Sequence, residues 1–454
     1  MADTLDDRQP PSAACGVVHL GLGGFHRAHQ AMVFATLLRG GDSRWGVYGV
    51  AMHNPATARA LQAQGQRYHV RVADAAGSQW VAVESIRDCA VLATERARVV
   101  AAMAAPATRW ITLTITEKGY GADIATLLAE ALQTRWRNGL AGLTVASCDN
   151  LTGNGSQLRA LVRAQALRGP PGLADWIDTR CRFPESMVDR IVPSSTPEIC
   201  ADALKATGEV DTIALATESF WQWVLQRDLA DPSDAEVLAA AGVTLVDDVR
   251  PFETAKLRML NGTHTALAAM GPVLGLPLIS DCMAQPALRD FAHGLMTHEV
   301  APHLERPGLD AYRDALLARF ANETLQHRCL QICSDNSQKI PLRWQGSLLA
   351  LRAVGAVPRY LAVAAAAWMR FLQGCDATGS QYEWSDPLRG ELQATALRTR
   401  DDGPAAVSAL MGDVRIWGPG LAADWVWHDA VLQAWVRIRL GGLLSVVEMT
   451  RLRG

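Results

Sequence analysis

Cys15-Gly16-Val17-Val18-His19-Leu20-Gly21-Leu22-Gly23-Gly24-Phe25-His26-Arg27-Ala28-His29 decides the fold. A short apolar run meets a glycine cluster, and a helical pattern then continues to about Leu38. Strand, glycine turn and helix in that order open a βαβ unit of the dinucleotide-binding kind, where glycines let the backbone approach a pyrophosphate at a helix N-terminus. His26 stands where the third glycine of G-x-G-x-x-G belongs, so the turn alone also admits another nucleotide or S-adenosylmethionine. A second strand, Trp45 to Met52, ends on His53-Asn54-Pro55. No carboxylate for an adenosine ribose lies there, and no arginine for a 2′-phosphate precedes Arg59, so NAD and NADP both stay open.

Further strands are expected at Trp110–Thr116, Leu143–Ser147, Thr212–Ala216 and Val243–Val246, with helices such as Ala122–Gly139 and Gly155–Arg168 between them. Alternating β and α over residues 1–250 predicts a doubly wound parallel sheet with its ligand outside the carboxyl ends of the strands. Those ends are polar: Thr116-Glu117-Lys118-Gly119-Tyr120, Cys148-Asp149-Asn150 and Glu218-Ser219-Phe220. After Pro251 only helical patterns follow: 255–270, 284–301, 309–320, 324–333, 346–354, 360–372, 404–411 and 425–440. The expected organisation is therefore an α/β protein with a Rossmann-type domain over 1–250 and a mainly α-helical substrate domain over 251–454.

The first helix of that second half carries chemistry. At about 100° per residue, Leu260, Thr263, Ala266, Leu267 and Met270 share one side and Lys256 projects into the same arc, with Glu253 and His264 flanking and Asn261 further round. A primary amine among apolar groups has a lowered pKa and can accept a proton near neutral pH. Spacing alone favours a lysine that snorkels to water.

Composition narrows the partner. With 454 residues, 49% hydrophobic, 20% charged and a net charge of −3, the chain reads as globular, with no footprint for nucleic acid or an anionic membrane. The longest apolar run, Leu361–Met369, is far short of a bilayer span of roughly 20 residues. Met1–Ala14 lacks the basic and apolar regions of a signal peptide, which predicts a cytoplasmic protein. Nine dispersed cysteines form no C-x-x-C pair, so buried thiols are expected and no metal site.

Seven segments carry a resemblance: GLGGFHRAHQ (Gly21–Gln30), TEKGYG (Thr116–Gly121), CDNLTGNG (Cys148–Gly155), FPESMVDRIVP (Phe183–Pro193), TESFWQWV (Thr217–Val224), KLRMLNGTH (Lys256–His264) and SDNSQKIP (Ser334–Pro341). In this order they resemble the polyol-specific long-chain dehydrogenase/reductase family, which includes mannitol 2-dehydrogenase and fructuronate reductase. The resemblance implies metal-independent NAD(P) chemistry with Lys256 as general acid/base, Asn150 and Asn261 as amides around the reacting oxygen, and His264 beside them. Gly21, Gly23, Gly24, Phe25, His26, Arg27, Glu117 and Lys118 are then expected at the cofactor, and Glu253, Gln331, Lys339 and Arg227 at the substrate. Gln331 replaces an arginine usual in mannitol dehydrogenases, Gln226-Arg227 replaces a frequent acidic pair, and His327–Ile332 looks like the fructuronate reductase branch. These departures place a sugar acid ahead of a neutral polyol, in a monomer or small homo-oligomer. A non-catalytic dinucleotide or sugar-acid binder is the reading outside the enzyme class.

Overall fold

The computed structural model describes residues 15–74, 76–324 and 326–451; the leader expectation for Met1–Ala14 lies outside them. The chain divides into two compact units, Met1–Arg250 and Pro251–Gly454.

The first unit is built on a five-stranded parallel sheet ordered β5-β2-β1-β6-β7. Its strands are β1 (Val17–Leu20), β2 (Val47–Ala51), β5 (Ile86–Val91), β6 (Trp110–Leu113) and β7 (Thr144–Ser147). Both faces are covered by helices, and β1, β2, β6 and β7 are buried throughout, as expected for a parallel sheet. The chain winds outward from β1 through β2 to β5, then returns to the other side of β1 as β6. The order therefore reverses between β1 and β6, which opens a crevice at their carboxyl ends.

Two smaller sheets correct the single-sheet expectation. β3 (Tyr68–Asp74) pairs with β4 (Gly77–Val83) and with β9 (Leu215–Glu218), while β10 (Gln222–Gln226) joins β8 (Ser186–Asp189) to β11 (Thr244–Val246). The strands expected near 212–216 and 243–246 thus lie outside the main sheet. The first also begins later, because the Asp211 carboxylate accepts from the backbone N–H of His69 (2.6 Å) and Ile213 (3.0 Å) and holds that stretch as a turn.

At the head of β1 the chain turns sharply. Gly21 has φ +103°, and a Cβ there would sit 2.1 Å from the Thr114 carbonyl oxygen. Left-handed strain and overlap with fixed backbone act together, so Gly21→Ala is expected to destabilise the protein by at least about 3 kcal/mol. Chemical denaturation checks this; a loss under about 1 kcal/mol would mean that the turn can relax.

The second unit is helical. At its centre the Gly262–Val273 helix is buried on every side, and the Tyr360–Phe371 helix, nearly as enclosed, packs against it. A one-sided apolar arc is thus corrected: this helix is a core element all round. The apolar run 361–369 lies in that second buried helix, and among the described residues no helix is long and apolar enough to cross a membrane. Glu299 caps the Tyr360–Phe371 helix by accepting from the N–H groups of Arg359, Tyr360 (2.8 Å) and Leu361 (2.8 Å). Of the helix expected over 324–333, Cys329–Ile332 is helical. Just before it, Ile279 N–H donates to the His327 carbonyl and Cys329 N–H to the Pro277 carbonyl, a strand-like exchange that excludes helix. The Asn336–Ala353 helix begins ten residues before the expected 346, so Lys339 stands within its first turns.

Candidate active site

In the first unit, His19 lies beneath the glycine turn. Its Nδ1 meets Thr112 Oγ1 at 2.8 Å, and its Nε2 meets Gly21 O at 3.0 Å and Thr114 Oγ1 at 2.9 Å. The His26 ring stacks on it, centroids 3.3 Å apart and planes within 11°. A third glycine ordinarily allows close packing of helix on strand. Here a flat imidazole stacked on a second imidazole achieves that contact. Burial holds His19 down to about 3 and His26 well below the usual histidine range, so both rings are neutral.

The turn sorts the expected cofactor residues into two sets. Gly23 is exposed, Gly24 and Phe25 are half-buried, and nothing but the Gly21 carbonyl approaches a Cβ placed on Gly23. The His26 and Arg27 side chains are buried within the fold. Arg27 donates to the Ile213 carbonyl at 2.6 Å and lies over the Tyr68 ring. Its guanidinium cross-links the turn to the segment before β9.

Glu117 and Lys118 are exposed on a short 3₁₀ turn after β6. That loop is clamped by Asp149, whose carboxylate accepts from Ile115 N–H (3.0 Å), Thr116 N–H (2.7 Å) and Tyr120 O–H (2.8 Å). Thr116 is held at φ +63°, a costly conformation for a non-glycine residue, so the clamp fixes a strained backbone. Asp149 was legible only as part of a polar strand end. Asn150 follows it at the exposed tip, and Asn154 supports the loop from behind through Asp149 O (3.0 Å) and Ser186 O (2.9 Å). Arg227 is exposed beyond β10 and 3.9 Å from Asp247.

In the second unit, the helix of the KLRMLNGTH segment is not uniform. Arg250–Ala255 is α, Lys256–Asn261 is a π segment, and Gly262–Val273 is α again. In a regular α-helix Asn261 would lie about 140° round from Lys256, five steps of about 100°. A ring closed by i→i+5 bonds carries more residues per turn, so a residue five further on returns to nearly the same side. Lys256 and Asn261 are the two ends of this segment, so the wider turn narrows the angle that α geometry would leave between them. Both are half-buried, as is Glu253, so Lys256 is less enclosed than its arc suggested.

The π segment is anchored on two sides. It packs against a second π segment, Leu295–Val300. The Asn336–Ala353 helix holds the seam beyond it, with Trp344 Nε1 donating to the Gly262 carbonyl at 2.9 Å and Arg343 Nη1 to Thr265 Oγ1 at 2.6 Å. Gly346 makes room for the Arg258 guanidinium, which would come within 2.5 Å of a Cβ there.

His264 follows one α turn after Asn261. Its ring stacks on Phe320 at 5.2 Å, with His327 5.3 Å away, and among the described residues its Nε2 has no hydrogen-bond partner. Burial, and then the positive surroundings of His327, Arg343, Arg319 and Lys339, keep it neutral. Lys339 donates to the carbonyls of Ile332 and Ser334, while Gln331 is exposed on the short helix before it. The sequence had supplied Lys339 but not Arg343 or Arg319, which enter only through the fold.

Neutral buried histidines set a pH dependence. Unfolded, His19, His26 and His264 take up protons below about 6.5; folded, they resist until far lower pH, near 3 for His19. The unfolded state therefore binds more protons as pH falls, and stability should drop by about 1.4 kcal/mol per pH unit for each such group below pH 6.5. Denaturant melts from pH 7.5 to 5 should show this steady loss. A stability that is level or rising toward pH 5 would contradict it.

The family model for the mannitol dehydrogenase Rossmann domain matches residues 15–234, and that for the mannitol dehydrogenase C-terminal domain matches residues 248–438. The chain belongs to the mannitol dehydrogenase family. D-mannonate oxidoreductase of Escherichia coli (strain K12) is 35% identical, with 93% of each chain covered. Mannitol 2-dehydrogenase of Phaeosphaeria nodorum is also 35% identical, over 90% of this chain and 78% of that one. Among solved structures, the mannitol 2-dehydrogenase of Pseudomonas fluorescens in ternary complex with NAD and D-mannitol superposes with a TM-score of 0.79 at 27% identity, covering 98% of this chain and 95% of that one. The family's sheet and helical regions are those described above, and the glycine turn and KLRMLNGTH segment fall inside the two matched domains.

Proposed function

We propose that this chain is an NAD-dependent oxidoreductase that moves hydride between nicotinamide and a secondary alcohol of a sugar acid, of the D-mannonate/D-fructuronate type. The observation that supports the reading is the π segment, whose ends are Lys256 and Asn261, with the buried, neutral His264 one turn beyond.

The first unit suits the cofactor. A reversal of strand order between β1 and β6, a Gly21 position that no side chain fits, and the exposed Gly23 meet the steric needs of a pyrophosphate. Gly21, Gly23, Gly24 and Phe25 would hold it, with Glu117 and Lys118 on the neighbouring loop. When bound, the nicotinamide supplies the hydride acceptor or donor. The protein's own work is with protons and charge. Lys256, as the neutral amine, takes the hydroxyl proton in oxidation and returns it as ammonium in reduction. The Asn261 amide N–H stabilises the charge that develops on the substrate oxygen, and the family resemblance gives Asn150 the same task. Glu253 partners the lysine, and Lys339 binds the substrate, with Gln331 and Arg227 as further specificity positions.

A sugar acid is favoured by Arg343, whose half-buried guanidinium lies against the helix of His264 and pairs with no carboxylate among the described residues; a substrate carboxylate would neutralise it. The second reading is a mannitol/fructose dehydrogenase; the likeness to the mannitol-bound structure and the fungal relatives favours it. Reduction of fructuronate, tagaturonate, fructose and tagatose with NADH and NADPH, and oxidation of the corresponding alcohols, decides between them. Fructuronate is expected to give the highest kcat/KM. Fructose exceeding it would reverse the assignment, and no change in nicotinamide absorbance with any of them would leave a binding protein.

A further inference from the structure

Arg343 is a half-buried arginine that donates to Thr265 Oγ1, and no carboxylate of the described residues pairs with it. A guanidinium has five N–H donors in a planar fork, so most of its capacity is unspent by that one bond. Its neighbour on the same helix face, four residues earlier, is Lys339, another cation. Like charges at that spacing repel, and a partly desolvated charge without a counter-ion is costly. The fold nevertheless holds Arg343 against the helix bearing His264 and Thr265. The Lys339 amine is turned to the Ile332 and Ser334 carbonyls with Asp335 and Asp386 among its charged neighbours, which leaves Arg343 as the cation of the pair without a carboxylate among the described residues. Such an arrangement is stabilised when an anion enters it. Lysine reads an anion as a point charge, whereas an arginine fork matches the two oxygens of a carboxylate.

We propose that Arg343 is the specificity-determining residue of this enzyme, and that it pairs with the carboxylate of the substrate. This rests on the sugar-acid reading and deepens it. A neutral ketose offers only hydroxyl groups to the same fork and leaves its charge uncompensated, so discrimination follows from the unpaired group.

The test compares fructuronate with fructose, using NADH and the full-length wild-type protein, Arg343→Gln and Arg343→Lys. The ratio of kcat/KM for fructuronate over fructose is expected to fall about 10²-fold in Arg343→Gln, mainly through KM for fructuronate, and about 10-fold in Arg343→Lys, which keeps the charge but loses the fork. An equal loss on both substrates would reduce Arg343 to a clamp on Thr265 and overturn the inference, as would an unchanged ratio. If Arg343→Gln does not fold, Arg343→Lys decides by the same ratio. Failure of the sugar-acid reading shows instead in the wild-type protein, as absence of fructuronate reduction while fructose is reduced.

Discussion

Lys256→Ala is expected to leave a folded protein that still binds NADH and turns over at least about 10²–10⁴-fold more slowly, the contribution of a placed general acid/base. The fold should survive because Lys256 is half-buried at the start of the π segment and fills no core position; the enclosed residues of that segment are Met259 and Leu260. A half-buried substitution of this kind commonly moves stability by about 1 kcal/mol or less. NADH binding should persist because the glycine turn belongs to the other unit. The measurement is single-turnover reduction under saturating NADH, where hydride transfer is seen apart from product release. Loss of the proton carrier should also remove the pH dependence that the amine imposes on the rate, and added small primary amines should restore part of it. A variant with rates near wild type would end the assignment of Lys256.

What could be read from residues alone was whatever is local. The glycine turn fixed the strand-turn-helix opening, because only glycine tolerates φ +103° against the Thr114 carbonyl. Strong apolar runs gave the buried strands β1, β2, β6 and β7. The smaller sheets stayed hidden because β4 is half exposed and the partners of β3 and β10 are set by tertiary pairing, such as β3 with β9. The same division runs through the site. Lys256, Asn261, His264 and Lys339 stand in motifs and were named. That His26 serves packing depends on His19 lying beneath it, and that Arg343 matters depends on Thr265 facing it; neither follows from spacing. The π segment left no trace in the pattern either, since KLRMLN contains no glycine or proline to mark a break. A uniform 100° step therefore puts Asn261 further round from Lys256 than a π turn does.

That residue carries the second large expectation. Asn261→Ala should lower kcat by about 10²–10³-fold with little change in KM, as for loss of one donor to a developing oxyanion. The amide matters in the transition state because the oxygen gains charge there, so ground-state binding should be nearly spared. The π turn makes a further distinction possible. Asn261→Asp keeps the size but replaces the donor with a negative charge, and should be at least as slow as Asn261→Ala. If Asn261 merely stabilised the helix seam beside Gly262, Asn261→Asp would instead retain most of the activity, and any loss of rate in Asn261→Ala would go with a loss of thermal stability. Equal falls in kcat/KM caused by KM alone would make Asn261 a ground-state contact. A loss confined to kcat, with both variants melting near wild type, is the result that the proposed role of Asn261 as a donor to the reacting oxygen requires.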